Sequence, residues 1–155
     1  MKGAETVNWT KDRSILLSQI CTALFALLLA ARDIGCYWAV SWFIHLRNMN
    51  WQKGTGFMVT IYLCSVFAWL LLYGLWKLLG NMKSGRVFVE ENVRRLRTVS
   101  WCCVGAGAVC LVSCLYYLPF IAVAIAAGFM ALIVRIIKNI FQQAIDMKAE
   151  LDLTI

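Results

Sequence analysis

A chain of 155 residues that is 62% hydrophobic, 13% aromatic and only 15% charged, with a mean hydropathy of +0.74, is too apolar for a water-soluble domain. Its apolar stretches are continuous rather than alternating and it holds a single Pro, so the backbone polar groups are satisfied by lipid-crossing helices, not by a barrel. The net charge of +7 lies mostly at the ends of those stretches, where cations set topology, which argues against direct nucleic-acid binding.

The predicted fold class is all-α: an integral-membrane four-helix bundle, one domain over residues 1–155, with both termini cytoplasmic. Lys11 and Arg13 precede the first span, 15–31, "ILLSQICTALFALLLAA". Its flanks fit a retained signal anchor better than a cleaved signal peptide. Arg32 and Asp33 end that run. The segment 34–51 is rich in Trp but too short to span, and predicts either an interfacial helix or an extension of the first, with Trp38, Trp42 and Trp51 as membrane-interface anchors.

The second span is 57–79, where Lys77 can snorkel to the headgroups. Gly80, Asn81 and Gly85 supply stop and turn signals. A cytoplasmic amphipathic lead-in over 85–97, "GRVFVEENVRRLR", carries ordered charges. Glu90 with Arg94 and Glu91 with Arg95 fall at i, i+4, acid first, each pair adding about 0.2–0.5 kcal/mol. Span three, 98–118, turns at "YYLPF" into span four, 120–137, which Arg135 and Lys138 close, leaving a cytoplasmic tail, 138–155.

Twelve of the 15 Lys and Arg fall at the termini and around the loop between spans two and three, which places those regions in the cytoplasm. Seven Cys with no C-x-x-C pair indicate apolar packing rather than a disulfide framework. Small residues at Cys102, Ala106, Cys110 and Cys114, and at Ala124, Ala127, Gly128 and Ala131, form ridges for close helix approach within one subunit, with a homo-oligomer seam as the alternative. No Asp, Glu or His falls inside the four predicted spans, and His45 has no companion ligands. Catalytic, cofactor and metal sites are therefore not expected.

The stretch "GRVFVEENVRRLR" resembles the G-x-P-F-[ST]-x-E-N-x-x-x-L-R motif of small four-helix bacterial membrane proteins of unknown function, including YoaS-like proteins, and "FQQAIDMKAELDLTI" resembles that family's C-terminal hallmark. The matched positions are Gly85, Phe88, Glu91, Asn92, Leu96 and Arg97, then Phe141, Ala144, Glu150 and the terminal Asp152 to Ile155. Val87 and Val89 depart from the pattern, and Val89 removes a Ser or Thr N-cap at a cost of about 1 kcal/mol.

The resemblance implies a multi-pass protein of the bacterial plasma membrane that binds a small cytosolic helix-turn-helix regulator. The candidate partner-binding residues are Phe88, Glu91, Asn92, Arg94, Arg95, Arg97, Asp146, Glu150 and Asp152. An antiparallel hairpin turning at Leu118 and Pro119 sets Arg94 opposite Gln143 and Glu91 opposite Asp146, so that Arg94 or Arg95 pairs with Asp146 or Glu150. The alternative function is transport, envelope protection or immunity, acting through the spans, with Thr60 or Ser65 lining a pore, and through the outer Trp-rich loop.

Overall fold

A computed structural model of the chain describes the backbone of residues 2–47 and 51–153 and the side chains of residues 13–46 and 54–151. Four helices account for most of it: α1 (Lys2–Arg47), α2 (Trp51–Lys83), α3 (Glu90–Ser113) and α4 (Phe120–Leu153). Each contains a stretch long and apolar enough to cross a bilayer.

The helices run up and down in chain order. Each packs on its sequence neighbours, and among the described residues α1 makes no close backbone approach to α3 or α4. The bundle is therefore an open row, with α1 and α4 at its edges and α3 the most buried. Its two ends differ in chemistry. At one end, rings of Phe43, Phe57, Tyr117 and Phe120 interlock with centroids 5.3–6.1 Å apart, tying the α1–α2 hairpin to the 114–119 connection. Beside them Tyr116 OH donates to the Gly56 carbonyl at 3.1 Å, and the Thr60 and Ser113 hydroxyls bond at 2.7 Å. The opposite end carries the 84–89 loop and all three Arg residues of α3.

Two sequence expectations change here. The helix does not stop at Arg32 and Asp33 but continues unbroken through 34–47, so of the two forms foreseen for that segment, the extension of the first helix is the one adopted. Asp33 against Ser65, and Ile44 against Gly54, set the α1–α2 register. At that register the part of α1 level with the 57–79 run of α2 is about 19–41, at a common rise of 1.5 Å per residue. Arg32 and Asp33 thus lie within the apolar depth of the bundle.

The second change is at α3, which ends at Ser113 rather than near 118. The α3–α4 turn is consequently centred closer to α3 than a turn at Leu118–Pro119 would be, and this slides α4. Ser100 Oγ donates to the Ala131 carbonyl at 3.1 Å, and Phe88 meets Phe141. The slip relative to the expected register is about six residues, roughly 9 Å.

The small-residue ridges serve packing within the subunit. Cys110 faces α2, its Sγ 3.7 Å from that of Cys64, and all seven Cys are free thiols. Gly107 faces α4, where a Cβ would lie 3.5 Å from that of Ala127. Gly105 admits the Phe67 ring of α2, whose nearest carbon would stand 2.7 Å from an added Cβ. Such contacts set interhelical distance in lipid, where burial of apolar surface supplies no driving force.

Candidate functional site

The 84–89 loop begins where α2 stops. Gly85 takes φ +72°, a left-handed conformation open to glycine, Gly85 N–H donates to the Met82 carbonyl at 3.1 Å, and Arg86 N–H donates to Asn81 at 3.0 Å. Those paired bonds reverse the chain and satisfy carbonyls left open by the last turn of α2. The next helix starts without a side-chain cap, because Val89 occupies the N-cap position in extended conformation.

Asn92 substitutes for the missing cap as an organiser of the loop. It is fully buried, Nδ2 donates to the Arg86 and Val87 carbonyls at 3.0 and 2.8 Å, and Oδ1 accepts from Asn81 Nδ2 at 2.8 Å. One amide thus ties the loop to both flanking helices. Its burial corrects the expectation that Asn92 is a partner contact: the side chain positions the surface and does not form it. Leu96, one turn on, is a core residue, 6% exposed.

Phe88 is half-exposed and its ring lies 5.6 Å from that of Phe141, inclined at 44°. The two sequence motifs, far apart along the chain, therefore meet at this end. They do not meet through the expected ion pairs. Arg95 Nη2 bonds Glu91 Oε1 at 2.5 Å within α3, while Asp146 Oδ1 accepts from Gln142 Nε2 at 3.1 Å within α4. The register slip explains why: Asp146 is carried beyond the reach of Arg95. Of the two i, i+4 pairs foreseen in α3, that of Glu91 with Arg95 forms and that of Glu90 with Arg94 does not. Arg97 lines a cavity between α3 and α4 with Arg135 and Lys138.

Glu150 is engaged in an interaction, and the side chain of Asp152 lies outside the described residues. Of the three Trp expected to anchor the chain at the membrane interface, Trp38 and Trp42 project from α1 with most of their surface exposed, and the Trp51 side chain falls outside the described residues.

A second polar cluster went unrecognised in the sequence. Asp33 Oδ1 accepts from Arg32 Nη2 at 2.8 Å, and its Oδ2 accepts from Ser65 Oγ at 2.5 Å and Trp69 Nε1 at 3.1 Å. The expectation that no acidic residue lies inside a span is thus corrected: the α1–α2 register puts Asp33 level with the middle of the 57–79 run. Three donors, one of them the adjacent Arg32 cation, satisfy the carboxylate, and the pair carries no net charge into the apolar layer. The available signal was Ser65 and Trp69, two donors at i, i+4 on one face of α2. Among the described residues no group of three or more His, Cys, Asp or Glu is placed to hold a metal ion.

Helices long enough to cross hydrocarbon, joined by connections too short to fold alone, define a small polytopic membrane protein. The chain belongs to the family described as "Protein of unknown function (DUF2975)", which matches residues 35–155 and so takes in the end of α1 and all of α2, α3 and α4. Comparison with curated proteins and with solved structures finds no match.

Proposed function

We propose that this is an interaction protein whose 84–97 segment and α4 end face the cytoplasm and hold a soluble regulator at the membrane. The observation that carries the reading is the contact of Phe88 with Phe141, which unites both motifs on one surface over a loop tied down by Asn92. A preorganised loop loses less conformational entropy on binding than a mobile one. In the same segment as the half-exposed Phe88, Arg86 and Arg94 are also exposed, suiting a partner with an acidic patch. A small helix-turn-helix regulator is the partner the sequence resemblance suggests. Its DNA-binding face is itself cationic, so its acidic side would dock here.

The test is affinity capture of the full chain from native membranes, comparing wild type with Phe88→Ala and with a chain lacking Asp152 to Ile155. A small DNA-binding protein retained by wild type and lost from both variants supports the reading. Identical captures from all three, or no regulator in any, overturn it.

Asp33 favours a second reading, transport or envelope protection through the spans, because ionisable groups at this depth commonly serve ion or substrate movement. It requires a phenotype toward membrane-active compounds that Asp33→Asn abolishes and Phe88→Ala leaves intact.

A further inference from the structure

The α3–α4 face holds a feature that the partner reading does not use. Arg97, Arg135 and Lys138 line a cavity of about 490 Å³ together with Trp101, and no carboxylate among the described residues lines it. None of the three cations makes an ion pair among the described residues. Trp101 beside them is two-thirds exposed.

A groove of about 280 Å³ continues from this cavity, sharing Ser100, Val104 and Arg135 with it and running between the helices past Gly107 and Gly128 to Leu111. From Ser100 to Leu111 the groove extends about 16 Å along α3, close to half of the roughly 30 Å hydrocarbon core. Its floor polar group is already engaged, since Ser100 Oγ donates to the Ala131 carbonyl. The groove is therefore apolar in effect. A cluster of cations at the boundary with a leaflet-deep apolar groove beneath it matches one amphiphile in charge and length.

We propose that this face is a specific site for a single anionic phospholipid, its phosphate held by Arg97, Arg135 and Lys138 and one acyl chain laid along the α3–α4 groove. The inference does not rest on the soluble partner: the site shares only Arg97 with the 84–97 segment, and the loop around Phe88 takes no part in it. Charge complementarity selects the lipid class: three cations without counter-charge favour a headgroup with net negative charge over a zwitterionic one.

Native mass spectrometry of the full chain, released from detergent containing equal phosphatidylglycerol and phosphatidylcholine of matched acyl chains, tests this. The expected result is one retained phosphatidylglycerol per chain in clear excess over phosphatidylcholine. Arg97→Gln and Arg135→Gln should each weaken retention about fivefold, while Lys83→Gln, which removes an exposed charge outside the site, should not.

Gly128→Leu supplies a test at constant charge. A Cβ there meets nothing within 4 Å, so the new side chain starts from open space on the groove wall and should also reduce retention. Equal retention of both lipids, a graded series of bound lipids insensitive to these variants, or full retention by Gly128→Leu would overturn the proposal. So would inorganic phosphate raising thermal stability as much as the lipid does, since that would mark a site for a soluble anion.

Discussion

Replacing Asn92 tests whether one amide organises the basic end of the molecule. Asn92→Ala removes three side-chain hydrogen bonds, to Arg86 O, Val87 O and Asn81 Nδ2, from a site with no solvent exposure. At about 0.5–1.5 kcal/mol net for each bond, the loss amounts to roughly 2–4 kcal/mol, lessened where water reaches the freed loop carbonyls.

Asn92→Asp is the sharper perturbation, because shape is kept while two donors become an acceptor facing two carbonyls. It should destabilise more than Asn92→Ala, although it retains the bond from Asn81. The substituted carboxyl would be held protonated, with its pKa raised above the unfolded value. Its folded form is thus favoured at low pH and loses that advantage as pH rises through the folded pKa. Thermal unfolding in detergent as a function of pH, with thiol accessibility at an introduced Ser84→Cys in a Cys-free background, reads both effects. Equal stability of wild type and Asn92→Ala, or Asn92→Asp more stable than Asn92→Ala at neutral pH, would refute the reasoning.

Asp33→Leu alone should lower thermal stability in nanodiscs more than Arg32→Leu with Asp33→Leu together, because the single change strands a cation in apolar surroundings and the double change does not; equal losses would show that Arg32 reaches water unaided. Gly105→Ala should cost about 1–3 kcal/mol through collision with the Phe67 ring, and Phe67→Leu should restore part of it, as measured by thermal melts of the single and double variants. With the 84–97 segment in the cytoplasm, Ser84→Cys should resist an impermeant thiol reagent in whole cells and react after permeabilisation; labelling in intact cells would reverse the orientation.

Hydrophobic runs and their lengths determined that the chain is helical and crosses lipid, since a backbone without water must pair with itself in each segment. The short motif around Asn92 was also legible: Gly85 marked the reversal, Val89 the missing cap and Glu91 with Arg95 the ordered pair. All of these depend on residues within a few positions of one another.

What the sequence left open depends on sliding one helix along another. Asp33 looks like the end of a span until Ser65 and Trp69 are seen beside it. Arg95 and Asp146 look like partners until α3 stops at Ser113 and α4 moves by some 9 Å. Apolar helices in lipid can pair at several registers of similar energy, and the choice falls to particular contacts such as Gly105 with Phe67 and Ser100 with Ala131. Periodicity says which residues share a face of one helix, but only tertiary packing decides what that face meets.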